Sequence, residues 1–305
     1  MSDNLRGALF MVLAMMAFAG EDAFYKIAAA SLAPGFALLL FGLLGLAAYA
    51  ALARGAGQPV LHPAILSRPL LVRSAFEITG RVFFALSLAY TPLSTTSAIL
   101  QATPLVVTLG AALLLGESVG PRRWAAMAVG FLGVLLILRP TPEAFRADAI
   151  LAVIGMIGFA GRDLATRASS PAVSRWQLGV LGFLVVAVAG LVMMAFDPAP
   201  PALPAPRAAL ALLATAGFGV TAYTLLTQAM RVGEISVVAP FRYSRLLIAL
   251  LIAFVVFGER PDALTLAGGA LIVASGLYTL WRSGRAGGRA GNGAAAKADR
   301  AGRLR

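Results

Sequence analysis

The sequence predicts an all-α integral membrane protein of about ten transmembrane helices, built as two inverted five-helix repeats. Three observations carry that expectation. The 305 residues are 60% hydrophobic and 12% charged, whereas a soluble domain is about 45–50% apolar and about 25% charged, so one aqueous core could not bury this much apolar surface. The mean hydropathy is +0.86, and the apolar residues fall into runs of membrane length. The chain also repeats its own charged pattern about 141 positions on, as from Asp22 to Asp163.

The runs lie at 7–29, 34–53, 70–90, 93–115, 121–138, 148–168, 176–196, 207–230, 235–257 and 262–281. The first opens after Arg6 and resembles a secretory signal, with Ala17-Phe18-Ala19 in the place of a cleavage site. The recurrence of this segment later in the chain argues that it is kept. The second closes on Arg54-Gly55-Ala56-Gly57-Gln58-Pro59, and the fifth on Arg139-Pro140-Thr141-Pro142. Five prolines between Asp197 and Pro206 part the seventh from the eighth. These connections are short, and 305 residues leave no room for a separate soluble domain.

Composition excludes several chemistries. With Cys 0 and His 1 there is no disulfide, no thiol nucleophile and no zinc cage, and His62 reads as a loop residue among Gly and Pro. No strand is expected to present a phosphate-binding glycine motif, so no ATP drive is encoded, and neither a cofactor nor a metal is implied. The formal net charge is +12, but residues 282–305 hold seven Lys/Arg against Asp299, which places half of the excess in one tail. That Ala/Gly/Arg tail is expected to be disordered and to lie near anionic headgroups; without interleaved aromatics it makes a poor nucleic-acid binder. Lys and Arg number 15 in the loops sharing the N-terminal side against 5 opposite, or 8 against 5 without the tail. Both termini are therefore expected in the cytoplasm.

Shifted by 141 residues, Phe18-Ala19-Gly20-Glu21-Asp22 falls on Phe159-Ala160-Gly161-Arg162-Asp163, with Lys26 on Arg167. Gly116-Glu117 falls on Gly258-Glu259 at 142, and Gly133 on Gly276 at 143. The repeat units are 5–140 and 147–281, followed by the tail at 282–305. Five spans per unit is an odd number, so the second copy enters the membrane from the opposite side, and a site is expected near the midplane between the halves.

An ionisable group near the bilayer centre costs on the order of 2.5–3.5 kcal/mol, so each such group is a functional candidate. Arg73, Glu77 and Arg81 recur at i, i+4 and i+8 on one face of the third run. Arg73 reads as an anchor at the interface, and Glu77 with Arg81 either as cavity lining or as a structural ion pair. Asp22 and Asp163 each precede a cation by four residues, which suits helix-end pairs with Lys26 and Arg167. The repeat-equivalent Glu21 and Arg162 carry opposite charge and suit a pair across the two halves. In the ninth run Pro240 should kink the helix, with Arg242, Tyr243 and Arg245 beside it and Gln101 and Pro104 as a weaker parallel in the fourth. Arg242 and Tyr243 suit a carboxylate and a ring, or an anchor at the inner interface. Glu117 and Glu259 read as helix-end residues, and the Gly130/Gly133, Gly155/Gly158/Gly161 and Gly268/Gly269/Gly276 spacings as close helix packing.

These residues resemble the drug/metabolite transporter superfamily, EamA family, over residues 5–281. Gly20 to Lys26, Thr91-Pro92-Leu93-Ser94-Thr95-Thr96-Ser97-Ala98 leading to Pro104, Gly116-Glu117, Ala239-Pro240-Phe241-Arg242-Tyr243 and Gly258-Glu259 carry the resemblance. It is similar to S-adenosylmethionine and riboflavin carriers and to amino-acid exporters. The resemblance implies a secondary transporter and not an enzyme, moving a small organic solute across a bacterial inner membrane as a monomer or homodimer among membrane lipids. An amino acid or amino-acid-derived metabolite is favoured, with S-adenosylmethionine or riboflavin as the alternative. Substrate-binding candidates are Glu77, Arg81, Arg242, Tyr243 and Gln101; coupling or gating candidates are Glu21, Asp22, Lys26, Arg162, Asp163 and Arg167. An intramembrane enzyme or a scaffold is the reading from a different class.

Overall fold

The computed structural model describes residues 2–29, 31–90, 99–139, 149–196, 203–248, 251, 262–279 and 281–282. Helix α1 spans Asp3–Ala29, α2 Pro34–Gly55, α3 Arg68–Tyr90, α4 Thr103–Leu114, α5 Pro121–Leu138, α6 Ala149–Ala168, α7 Arg175–Phe196 and α8 Pro206–Val232. Proline opens α2, α5 and α8, where its fixed φ suits the first turn and its missing N–H has no partner to lose. The ninth segment starts as a short helix α9, Ile235–Val238, and tightens into a 3₁₀ turn at Ala239–Tyr243 before helix resumes over 244–248. Pro240, with no N–H to give, sits at the start of that turn. Helix α10 covers Ala263–Thr279. Among the described residues there is no strand.

Helices α1, α2, α5, α7 and α8 are long and apolar enough to cross a membrane, and α4 and α10 are shorter apolar helices. Helices α3 and α6 fall outside that group because of what they carry: Arg73, Glu77 and Arg81 on one, and Arg162, Asp163 and Arg167 on the other. These two charged helices are packed against each other.

The packing displays the inverted repeat. Helices α2 and α7 are each 22 residues long and start 141 positions apart. They run antiparallel, with Gly35 against Met194, Gly42 against Ala187 and Gly45 against Phe183. Helix α1 packs on α8, and α3 on α6. Exchanging the halves turns one of these pairs into the other. On α1, Gly20 lies under the ring of Phe218, and on α6, Gly161 lies under the ring of Phe76, so the same glycine–ring contact is made twice by repeat-equivalent residues.

The core is built mainly of alanine and aliphatic side chains, and aromatic rings knit one part of it. Phe41, Tyr49, Phe183 and Tyr223 form a chain of ring contacts with centroids 5.2–6.3 Å apart between α2, α7 and α8. The Tyr49 hydroxyl donates to the Val220 carbonyl at 2.8 Å. Helices α5 and α10 approach at Gly133 and Gly268, each of whose added Cβ would stand 2.5 Å from the other's carbonyl oxygen. Their ends are joined by Arg139, which takes φ 43° as a left-handed cap and donates to both oxygens of Asp262, at 2.5 and 2.6 Å. His62 stays in its loop, where Nδ1 accepts from the Ala64 N–H at 3.0 Å and caps the turn leading into α3.

The antiparallel α2–α7 contact gives a direct test. An added Cβ at Gly42 would stand 2.5 Å from the backbone nitrogen of Ala187, whereas Gly217 has nothing within 4 Å. Gly42→Leu should lower the melting temperature of the purified protein sharply, since overpacking costs about 1–3 kcal/mol and more where only backbone can yield. Gly217→Ala should be neutral or stabilising by up to about 1 kcal/mol. Equal effects of the two would contradict this packing.

Candidate functional site

Two buried acids at the centre of the bundle, Glu77 and Asp163, are each held between two arginines. Glu77 on α3 is fully buried; Arg73 Nη2 lies 3.2 Å from its Oε2 and Arg162 Nη1 3.4 Å from its Oε1. Asp163 on α6 receives Arg162 Nη2 at 2.8 Å on Oδ1 and Arg242 Nη1 on Oδ2. The result is an alternating row, Arg73–Glu77–Arg162–Asp163–Arg242, that crosses from the third helix through the sixth to the ninth segment. Neutral groups complete it. The Tyr223 hydroxyl donates to Glu77 Oε2 at 2.9 Å and accepts from Arg73 Nη2. Thr166 Oγ1 accepts from Arg73 Nε at 3.0 Å and donates to the Arg162 carbonyl at 2.8 Å. In a low-dielectric interior such ions persist only when paired and hydrogen-bonded, and removing one partner costs about 3–5 kcal/mol.

Beside this row lies a cavity of about 110 Å³, well above the roughly 10–15 Å³ that one water needs. It is lined by Phe18, Glu21 and Asp22 of α1, Arg81 and Phe84 of α3, Leu100, Gln101 and Thr103 at the start of α4, Phe159 and Arg162 of α6, and Arg242 and Arg245 of the ninth segment. Phe18 with Phe159, Glu21 with Arg162, and Gln101 with Arg242 each stand 141 positions apart. Three repeat-equivalent pairs around one cavity place it between the halves. The chemistry across it is unequal: the first half supplies Glu21, Asp22 and Arg81, and the second only cations, Arg162, Arg242 and Arg245.

Two charges in this cavity stand apart. Arg81 enters no ion pair among the described residues, and its buried Nε has no hydrogen-bond partner there; its guanidinium sits 5.9 Å over the Phe159 ring. Glu21 is 7% exposed and likewise forms no ion pair among the described residues. Asp22, half exposed, is bound by Arg245, which also lies 5.5 Å over the Phe18 ring.

Several expectations are corrected here. Arg73 is 1% exposed and belongs to the buried row, because Glu77, Tyr223 and Thr166 neutralise and bond it where an interface anchor would reach water. Asp163 pairs with Arg162 and Arg242 and not with Arg167, whose Nη1 donates instead to the carbonyls of Arg231 and Met230, at 2.8 and 3.4 Å. Asp22 turns to Arg245, and the Lys26 side chain lies outside the described residues. Arg162 takes Glu77 and Asp163 as partners, so the expected Glu21–Arg162 pair is not formed; both residues line the same cavity. Tyr243 is fully buried in an apolar cluster with Val134 and Ile272, away from the cavity. Glu77 lies behind the cavity wall, while Arg81, Gln101 and Arg242 line it. Glu259 lies outside the described residues.

The side of the bundle that carries the N-terminus is closed by polar contacts which the sequence reading did not find. Glu117, expected only as a helix end, accepts from the N–H groups of Ile235 and Ser236, at 3.1 and 3.3 Å, and so caps the ninth segment from the other half. Arg123 donates to Glu234 at 2.6 Å and to Ser236 at 2.8 Å, and Asn4 exchanges two hydrogen bonds with Glu234. Partial burial opposes it, but the bonds from Arg123 and Asn4 hold the Glu234 carboxyl below the usual range. Tyr223, Thr166 and Asn4 carried no local signal. Phe18 and Phe159 did, since both begin the repeated Phe-Ala-Gly pattern. Among the described residues no three His, Cys, Asp or Glu side chains are grouped to hold a metal.

Comparison with known proteins places this arrangement. The EamA-like transporter family matches residues 5–139 and 147–281. The chain is 31% identical over 288 residues to a riboflavin transporter of Rhizobium johnstonii, covering 90% of each. It is 28% identical over 223 residues to an S-adenosylmethionine uptake transporter of Rickettsia bellii, covering 72% of this chain and 75% of that one. It is 29% identical over 269 residues to a pseudopaline exporter of Pseudomonas aeruginosa, covering 88% and 93%. A crystal structure at 20% identity superposes with a TM-score of 0.75 over 88% of this chain and 95% of its own, which shows a shared fold.

The geometry ranks the repeat-equivalent acids. Asp163→Asn leaves Arg162 and Arg242 facing a neutral amide in a buried site and should cost about 3–5 kcal/mol. Asp22→Asn breaks a pair in which the aspartate side chain is 55% exposed and should cost no more than about 1 kcal/mol. Thermal melting of the two purified variants checks this, and an equal loss in both would contradict the buried row.

Proposed function

The chain belongs to the EamA-like transporter family, and from that premise we propose that it carries a small zwitterionic organic solute, an amino acid or amino-acid-derived metabolite, across a bacterial inner membrane by alternating access. One observation carries the reading: a cavity between the halves exposes two opposite charges, Arg81 and Glu21, that have no ion-pair partner among the described residues. A half-buried guanidinium whose buried Nε is unbonded suits a carboxylate, which it can hold by two parallel hydrogen bonds. A facing carboxylate suits an ammonium. The rings of Phe18, Phe84 and Phe159 at the same cavity favour a second feature, an aromatic or heterocyclic body, as in S-adenosylmethionine or riboflavin.

Energetics indicate which contacts move. The buried row is expensive to break, so it stays closed and holds α3, α6 and the ninth segment as one body. The contacts on the N-terminal side join Arg123 to Glu234, whose side chains are 18% and 47% exposed, and exposed pairs are worth roughly 0–1 kcal/mol. Solute binding of ordinary strength can offset the opening of that side. Both termini are taken as cytoplasmic, on the Lys/Arg distribution.

The test begins with melting temperatures in detergent against amino acids, S-adenosylmethionine and riboflavin; a ligand at 100 times its Kd adds about 2.7 kcal/mol. Counterflow of the stabilising solute into proteoliposomes containing only this protein should follow. Arg81→Gln removes a charge-assisted hydrogen bond of roughly 1.5–3 kcal/mol, so affinity should fall about 10- to 150-fold, with Arg81→Lys between. Glu21→Gln should weaken solutes carrying an ammonium and spare those without one. Wild-type counterflow in both Arg81→Gln and Glu21→Gln would overturn the assignment.

A further inference from the structure

On the outer flank of the bundle an apolar groove of about 650 Å³ runs between α3, α4 and α6, separate from the cavity between the halves. Its walls are Val72 and Phe76 of α3, Leu109 and Leu113 of α4, and Ile157 and Leu164 of α6. Leu113 is 73% exposed, Leu109 47% and Ile157 46%. Among the described residues, the one charged residue lining it is Arg68.

We infer that this groove binds one anionic phospholipid of the leaflet on the N-terminal side, with an acyl chain along the groove and the phosphate at Arg68. Length supports this occupant. From Arg68 to Phe76 the groove follows α3 for about 12 Å, and from Ala168 to Ile157 it follows α6 for about 16 Å, at about 1.5 Å per residue. One leaflet is half of a hydrocarbon core about 30 Å thick. Beginning at a helix end and stopping near the midplane, the groove matches a single acyl chain in depth.

Charge supports the headgroup. Arg68 is exposed and enters no ion pair or side-chain hydrogen bond among the described residues. It stands at the first position of α3, where the helix dipole disfavours a cation and favours an anion. A phosphate there pairs with the guanidinium and is favoured by the helix dipole. Zwitterionic lipids carry a compensating cation and gain less from the same place.

The test uses the whole chain in dodecyl maltoside, mixed with dioleoyl phosphatidylglycerol or dioleoyl phosphatidylcholine and weighed by native mass spectrometry. Wild type should retain one phosphatidylglycerol in preference to phosphatidylcholine. Arg68→Gln should lower that retention at least about ten-fold, the loss expected for one charge-assisted contact. Arg122→Gln, which removes an exposed cation outside the groove, should leave it unchanged. Ala165→Phe, which fills the groove and keeps Arg68, should lower it too. Equal retention of both lipids, loss in Arg122→Gln as large as in Arg68→Gln, or wild type appearing as a dimer without lipid would overturn the proposal.

Discussion

Glu77 and Asp163 lie buried at the centre of the bundle, each paired with the arginines that flank it, and breaking such a pair leaves an uncompensated buried charge. Arg162 serves both acids, so the two cannot be separated without exposing an unpaired charge. That requirement sets the packing around them. Helices α3 and α6 must lie side by side, α8 must bring Tyr223 to Glu77, and the ninth segment must present Arg242 to Asp163. The glycines of α6 serve this approach: an added Cβ at Gly158 would stand 2.5 Å from the backbone nitrogen of Gly80. Small residues let two charged helices come close enough to neutralise each other.

The inverted repeat supplies a nearly symmetric frame, and a few substitutions make its centre chemically unequal. Glu21 and its repeat equivalent, Arg162, line the same cavity, as do Gln101 and Arg242. Both repeat-equivalent aspartates bind arginines of a single element, Asp22 to Arg245 and Asp163 to Arg242. The ninth segment is thus tied to α1 and to α6 at once. Its 3₁₀ turn at Ala239–Tyr243 is the place where backbone geometry already departs from regular helix. The bonds of the buried row are strong and those at Glu234 weak and half-exposed, so in the proposed transport cycle it is the latter that separate.

Much of this was legible in the sequence because membrane helices advertise themselves. The expected run at 121–138 coincides with α5, and that at 34–53 ends two residues short of α2. The repeat offset, Glu77, Asp163 and Arg242 were legible because a charge inside an apolar run has few innocent explanations. Pairing was not legible. A sequence displays only local spacing, so Asp163 was matched with Arg167 four residues on, while its partner Arg242 comes 79 residues later. Arg73 looked like an interface anchor because its neutralising hydroxyls, Tyr223 and Thr166, are residue types that carry no signal of their own. Tyr243 lies on the 3₁₀ turn and in the apolar cluster with Val134, a long-range contact that local spacing does not display.

The central claim is that the N-terminal side must open while the buried row stays closed. The chain has no cysteine, so a single engineered pair can be oxidised without competition. Asn4→Cys with Glu234→Cys replaces two residues that now exchange hydrogen bonds across that side. Counterflow of the stabilising solute into proteoliposomes should be lost when this pair is oxidised and regained on reduction. Undiminished counterflow with the disulfide fully formed would contradict the account.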